Sequence, residues 1–193
     1  VLKAKSAIEK ANVCLIMIDA TEGVTEQDEK IAGLAHEGGK GVIIVVNKWD
    51  LVEKENNTME KYKKEVYNKL AYLSYAPIIF ISTVTGQRVD KLFDMINEVD
   101  KQNSQRIPTG LLNDVLAEAT TITQPPSDKG RRLKVYYMTQ VSTRPPTFVI
   151  FVNSKELMHF SYVRYIENHL RKQFGFKGTP IHMIIRERKK GEE

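Results

Sequence analysis

The sequence predicts an α/β unit built on a parallel sheet, followed by a smaller α+β domain. Three strongly apolar runs, each followed by a segment of helical spacing, occupy roughly the first hundred residues. Strands that are apolar on both faces and alternate with helices are typical of a parallel sheet covered on both sides. After Gln102 the order becomes helix, strand, strand, helix, strand, which predicts a small three-stranded sheet. We therefore place a first domain at residues 1–103 and a second at residues 104–193.

Each element has its own local signal. The chain begins at Val1, inside a helical pattern without a capping residue, so we expect it to be a piece of something longer. The helix that ends near residue 39 closes on a glycine pair, which suits a helix C-terminus. In the first domain we predict strands at 12–19, 41–47 and 76–82, and helices at 26–39, 57–73 and 88–101. In the second we predict helices at 111–120 and 160–174, strands at 133–141, 147–153 and 180–188, and a turn-rich loop at 123–132.

Composition excludes several classes of protein. No apolar run approaches the ~20 residues that span a bilayer, and no N-terminal signal pattern is visible, so we expect no membrane partner. The single cysteine, Cys14, excludes a disulfide framework and fits a buried apolar position in a cytoplasmic protein. The four histidines have no ligand spacing, and we predict no metal site.

Charge is distributed unevenly between the two predicted domains. Residues 1–103 carry 14 lysines and arginines against 16 acidic residues, whereas residues 104–193 carry 15 against 8, a net charge of +7. This excess suggests a polyanionic partner such as RNA, with ordinary solubilising charge as the alternative. The candidate RNA contacts flank two predicted strands, and they could form one basic face if those strands are neighbours: Lys129, Arg131, Arg132, Lys134, Arg186, Arg188, Lys189 and Lys190. Aromatic stacking is less expected, because Tyr136, Phe148 and Phe151 alternate with core positions and could face inward.

The apolar run GVIIVV ends in Asn47-Lys48-Trp49-Asp50, at the edge of a parallel sheet where ligands bind. An ionised Asp50 can accept hydrogen bonds from N1–H and the 2-amino group of guanine, whereas adenine offers neither donor. Such a site rejects the analogue by roughly 10⁴-fold or more. Lys48 can lay its stem along the base or sugar, Asn47 can brace neighbouring loops, and Trp49 points away to packing or surface.

A second loop, Ser82 to Gly86, follows the next strand and is expected at the same edge. The backbone N–H of Thr83 could donate to guanine O6, which would also reject the 6-amino group of adenine. The alternative is a plain turn. The predicted guanine-binding residues are Asn47, Lys48, Asp50, Ser82 and Thr83.

These motifs resemble the guanine-recognition half of a translation-factor-class GTPase. The longer string, IDATEGVTEQD, GVIIVVNKWD, APIIFIS and a basic tail with GTPI, is similar to the bacterial EngA (Der) family. The resemblance spans essentially the whole chain, and it implies the back half of a second P-loop GTPase domain followed by a KH-like domain. It also implies GTP or GDP with Mg²⁺ as cofactors, a first GTPase domain in the same protein, and a role in assembling the large ribosomal subunit with its RNA. Thr83 departs from the family's usual alanine.

One departure concerns catalysis. The sequence contains no G-x-x-x-x-G-K-S/T phosphate loop and no Asp-x-x-Gly, because the stretch from Asp19 to Gly23 has one residue too many. By the family pattern these motifs lie upstream of Val1. We therefore predict no catalytic residue and no metal ligand in this chain, and a GTPase only in the intact protein.

Two other functions compete. The chain could be an RNA- or ribosome-binding module in which the partial GTPase is a scaffold, or part of a GTPase of the Era group. An Era-type tail carries a G-x-x-G loop between two helices. Here Gly175-Phe176-Lys177-Gly178 runs directly into a strand, so we interpret Gly175 as a helix cap and Gly178 as a turn.

Overall fold

The computed structural model describes residues 2–188, apart from the side chain of Leu2. It divides into two compact units. The first runs to Asn103 and includes Phe176–Pro180, and the second runs from Ser104 to Gly175 and resumes at Ile181. The predicted division at residue 103 therefore differs in one respect, because five residues of the later stretch belong to the first unit.

The first unit is a three-stranded parallel sheet with helices between its strands. The strands β1 (Val13–Asp19), β2 (Gly41–Asn47) and β3 (Ile78–Phe80) lie side by side in this order. Both pairs are parallel, which the sequence predicts. The elements are α1 (Leu2–Lys10), β1 (Val13–Asp19), α2 (Glu26–Glu37), β2 (Gly41–Asn47), α3 (Thr58–Lys69), β3 (Ile78–Phe80) and α4 (Val89–Asn103).

The central strand is covered on both faces, but β1 is not. The side chains of β2 from Gly41 to Val46 are all buried. On β1 the burial alternates, and Leu15 and Met17 remain 38% and 48% exposed. The helix α4 packs against β2 and β3 through Leu92 and Val99 and leaves these two side chains uncovered. The prediction of burial on both faces is therefore wrong for β1.

Strand register brings the ends of β1 and β2 together. Asp19 pairs with Asn47, so both strands end at the same level of the sheet. The strand β3 pairs with β2 as far as Val46 and Phe80. Beyond this pair, the N–H of Trp49 donates to Ile81 O at 3.1 Å and joins the loop after β2 to the end of β3. Three loops therefore leave the sheet at one edge, which is where ligands bind in open parallel sheets.

The segment Phe176–Pro180 is built into the opposite end of this sheet. Gly178 O accepts from Val42 N at 2.7 Å, and Gly178 N donates to Tyr75 O at 2.9 Å. Phe176 is fully buried, and Gly178 has a positive φ of 77°. Gly175 is the C-cap of the preceding helix at φ 89°. The structural interpretation of the two glycines is thus confirmed, with Gly178 also forming a packing contact.

The second unit has the predicted α-β-β-α-β order. Its sheet is formed by β6 (Val135–Ser142), β7 (Thr147–Val152) and β8 (His182–Glu187) in this order, antiparallel between β6 and β7 and parallel between β7 and β8. Residues 123–132, predicted as loop, contain a small hairpin whose turn places Lys129 and Gly130 at positive φ, as tight hairpins favour. The elements are α5 (Thr109–Ile122), β4 (Ser127–Asp128), β5 (Arg131–Arg132), β6 (Val135–Ser142), β7 (Thr147–Val152), α6 (Phe160–Phe174) and β8 (His182–Glu187). Among the described residues of both units, none of the helices has the length and apolar character needed to cross a bilayer.

Candidate nucleotide-binding site

Trp49 anchors the loop that follows β2. Its ring is 2% exposed and packs against Phe80 at 4.5 Å and edge-on against Tyr62 at 5.5 Å between ring centroids. Aromatic pairs in such tilted arrangements add to the free energy gained by burial. The predicted packing role of Trp49 is confirmed. Because Trp49 points inward, Lys48 and Asp50 on either side of it are exposed.

Asn47 joins the loops after β2 and β3. Its Nδ2 donates to Thr83 Oγ1 at 3.3 Å, and its Oδ1 accepts from the backbone N–H of Thr83 at 3.2 Å. This is the bracing role that the sequence predicts for Asn47. The same contact engages the N–H that we assigned to guanine O6, so Thr83 would have to share or exchange this bond to reach a base.

Ser82 shapes its loop from inside. It is fully buried, its N–H donates to Gln87 O at 3.2 Å, and its Oγ accepts from Thr85 N at 3.2 Å. Arg88, which follows the loop, donates to Phe80 O at 3.0 Å and so connects the end of the loop to β3. The Ser82 side chain therefore acts on the loop conformation, and a direct contact with a base stays a prediction.

Lys48 is held by Asp19, the last residue of β1, for which no role in the site is predicted. Lys48 Nζ lies 2.5 Å from Asp19 Oδ2, while Asp19 Oδ1 accepts from the N–H and Oγ1 of Thr21 at 2.9 and 2.6 Å. The hydrogen bond from Lys48, followed by those from Thr21, lowers the pKa of Asp19 to about 2, and the same bond raises the pKa of Lys48. The signal that could have revealed Asp19 is its position at the carboxyl end of the strand beside Asn47.

Asp50 offers an unengaged carboxylate. It lies in the short 3₁₀ helix Trp49–Leu51, which begins after Lys48 adopts a left-handed conformation at φ 60° and ψ 31°. Within residues 2–188, no hydrogen bond or ion pair involves this exposed carboxylate. Both oxygens can therefore accept from a ligand, as the guanine hypothesis requires.

An open cleft of about 850 Å³ adjoins Asn47 and Lys48. Its floor includes Met17 of β1, and one wall is the start of α2. That helix start is already capped, because Thr25 and Asp28 bond to each other reciprocally. Its first turn is also acidic, which disfavours a phosphate there. The cleft therefore adjoins the loop that carries Asn47 and Lys48, and α2 supplies no phosphate site in it.

Two further observations concern chemistry. In the part of the chain that the structure describes, no group of three or more His, Cys, Asp or Glu side chains is arranged to hold a metal ion. Cys14 is buried, and burial raises the pKa of its thiol.

Of the predicted basic residues that the structure describes, Lys134 and Arg188 lie at one end of the second sheet, bonded through their backbones to Asn153 and Val152. The prediction that their strands could be neighbours is wrong, because β7 separates β6 from β8. Their ends nevertheless converge, since Val135 and Glu187 both pair with Val152. The guanidinium of Arg188 lies 5.8 Å from the ring centroid of Tyr136, across that end.

The individual basic side chains differ in their contacts. Arg131 pairs with Glu156 at 3.3 Å, Arg132 donates to the side chain of Gln124, and Arg186 is exposed on β8. Lys129 lies in the hairpin turn and Lys134 directly precedes β6. Lys189 and Lys190 lie outside the described residues.

The aromatic residues of this sheet are only partly inward. Phe148 is buried as expected, but Tyr136 is 44% exposed because a bulge near Val135 breaks the alternation of β6. Phe151 stacks on Tyr137 with 4.4 Å between ring centroids. The expectation that Tyr136 faces inward is wrong.

Comparison with known proteins assigns both parts of the chain. Residues 2–102 match the family described as "Elongation factor Tu GTP binding domain", and residues 106–186 match "KH-domain-like of EngA bacterial GTPase enzymes, C-terminal". Relatives named GTPase Der include those of Acetivibrio thermocellus, 62% identical over 190 residues, and Alkaliphilus oremlandii, 59% identical over 188 residues. These alignments cover 98% and 97% of this chain but 43% of each relative. A solved structure of Aquifex aeolicus Era bound to GDP.AlF4- is 21% identical, with a TM-score of 0.44, over 95% of this chain and 67% of that one. The chain therefore belongs to the family of the elongation factor Tu GTP-binding domain, in the branch that continues into the KH-domain-like C-terminal domain of EngA bacterial GTPases.

Proposed function

We propose that this chain recognises the guanine base of GTP or GDP through Asn47, Lys48 and Asp50. The observation that carries the proposal is the exposed carboxylate of Asp50, which no described residue engages and which follows the buried anchor Trp49 in the same loop. A carboxylate that meets two neighbouring N–H donors of guanine forms charge-assisted bonds, which are the strong class. Adenine has no donors at these positions and would leave the carboxylate unpaired. The cost of that unpaired group would make the site prefer guanine over adenine.

In a longer protein of the EngA type, we infer that GTP is hydrolysed with Mg²⁺. This chain has neither a phosphate loop nor an Asp-x-x-Gly, so we assign it base recognition and not hydrolysis. The relatives carry the name GTPase Der, and the second half of the chain matches the KH-like domain of EngA enzymes. We propose that the intact protein is a GTPase with a further GTPase domain, and that it acts in the cytoplasm on the large ribosomal subunit and its RNA.

Base recognition is tested on this chain by NMR titration with millimolar GMP, AMP and XMP. We expect GMP to shift the backbone amides of residues 47–50 and 82–85, and AMP to leave them unchanged. Asp50→Asn should weaken GMP binding about tenfold or more, the scale of a charged hydrogen bond, and should favour XMP, whose 2-oxygen accepts from the new amide. Asp94→Asn, an exposed aspartate of α4, is the matched control. Equal responses to GMP and AMP would refute guanine recognition.

A second candidate function is RNA binding by the second unit. It is favoured by the net charge of +7 on residues 104–193 and by the convergence of Lys134 and Arg188 at one end of the sheet. Contacts of this kind go mainly to phosphates and carry little sequence information. This activity is compatible with base recognition in the first unit, because it uses different residues.

A further inference from the structure

The ion pair between Lys48 and Asp19 connects two loops at the carboxyl end of the parallel sheet. Asp19 is the last residue of β1, and Lys48 is the first residue after β2. The register that pairs Asp19 with Asn47, with Ala20 N donating to Asn47 O at 2.9 Å, fixes the distance between the two loops. The pair is therefore set by the sheet itself.

The carboxylate of Asp19 is oriented before it meets the lysine. Thr21 donates twice to Oδ1, which leaves Oδ2 directed at Lys48 Nζ. The turn that carries this carboxylate is closed by Gly23 N, which donates to Asp19 O at 2.9 Å. At the other end, the left-handed backbone of Lys48 fixes where its stem begins. Both ends of a long, otherwise mobile side chain are thus constrained.

The exposure of the pair argues against a role in stability. The side chains of Lys48 and Asp19 are 51% and 24% exposed, and exposed ion pairs contribute little to the free energy of unfolding. Lysine loses considerable side-chain entropy when a ligand immobilises it. A partner that holds the ammonium in advance removes part of that cost from binding.

We propose that Asp19 is a positioning residue of the guanine site, which holds Lys48 so that its aliphatic stem lies ready along the face of the bound base. The inference rests on the proposed base recognition and adds a residue to it. Asp19 acts through Lys48 and not on the base edge, which is read by Asp50. Its loss should therefore weaken all bound purine nucleotides of the site alike, without changing the preference between GMP and XMP.

The test is a double-mutant cycle in this chain, read by NMR titration with GMP. Asp19→Asn should weaken GMP binding about three- to tenfold, the range expected for one immobilised side chain. Lys48→Met should weaken it as well, and Asp19→Asn in the Lys48→Met background should add nothing further. Asp94→Asn, the same change at an exposed aspartate of α4, is the matched control and should change binding less than twofold.

A second measurement separates positioning from folding. The Lys48 side chain is followed by its ¹³Cε resonance during a pH titration without nucleotide, and Asp19→Asn should lower the pKa of Lys48 while the amide spectrum outside the two loops is retained. Additive losses from Asp19→Asn and Lys48→Met, or unchanged GMP binding by Asp19→Asn, would overturn the positioning role. A wild-type chain that binds GMP and AMP equally would overturn the proposed base recognition instead.

Discussion

Gly178 provides a test of how the first unit is built. A Cβ added to this residue would lie 2.5 and 2.9 Å from the two methyl groups of Val99 and 3.3 Å from Pro77 Cδ. Contacts below 3.0 Å force a neighbour to move, and Val99 is fully buried, so it has little room to do so. The positive φ of 77° adds conformational strain for any L side chain.

These two effects give the expected magnitude. Left-handed backbone costs about 1–2 kcal/mol for alanine. Overpacking of a filled core costs about 1–3 kcal/mol more. Gly178→Ala should therefore reduce the free energy of unfolding of the first unit by about 2–5 kcal/mol. Gly23→Ala is the matched control, because Gly23 has a φ of 76° in the same unit and nothing within 4 Å of its added Cβ.

The assay is urea unfolding followed by the fluorescence of Trp49, the single tryptophan and a buried residue of the first unit. Gly23→Ala should lose only the strain of about 1–2 kcal/mol. In a Val99→Ala background, the additional cost of Gly178→Ala should fall toward that of Gly23→Ala, because the clashing methyl groups are gone. Equal urea midpoints for Gly178→Ala and Gly23→Ala would show that Gly178 does not pack closely against Val99.

Three further outcomes are expected. The chain alone should release no phosphate from GTP above background with Mg²⁺ present, because its sequence lacks the phosphate loop; magnesium-dependent turnover by the purified chain would contradict this. The carboxylate of Asp19 has a lowered pKa, so its pair with Lys48 should persist as pH falls below 3.9, the usual pKa of aspartate, and be lost only near pH 2; a ¹³C carboxyl titration with an ordinary midpoint would argue against the pair. Reversing the charge of Arg131 and Arg132 to glutamate should weaken binding of ribosomal RNA and flatten its salt dependence, and unchanged binding at low and high salt would mean that the basic charge only solubilises the chain.

Much of the fold could be predicted because local patterns carry it. The apolar run from Val42 to Val46 is buried on both faces, as its unbroken hydrophobicity predicts. Asn47 and Ser82 lie at one edge of the sheet because parallel strands end at the same edge. Lys48 and Asp50 are exposed because Trp49, which lies between them, points inward. The polar residues that lie together at the ends of parallel strands can thus be predicted from one sequence.

Other features of the structure depend on contacts between residues that are far apart in the sequence, which no local pattern predicts. Asp19 contacts Lys48 because strand register aligns residues 29 positions apart, and Gly178 contacts Val99 because a segment far along the chain returns to the first unit. The exposure of Tyr136 results from a bulge, which shifts alternation by one residue without a clear signal in the sequence. The sequence by itself determined the order of the elements and the residues of the proposed base-recognition motif, because periodicity and residue chemistry are local. Only the tertiary structure decided which partners hold that motif in place, because hydrogen bonds, ion pairs and close packing act between atoms that neighbour each other in space and not in sequence.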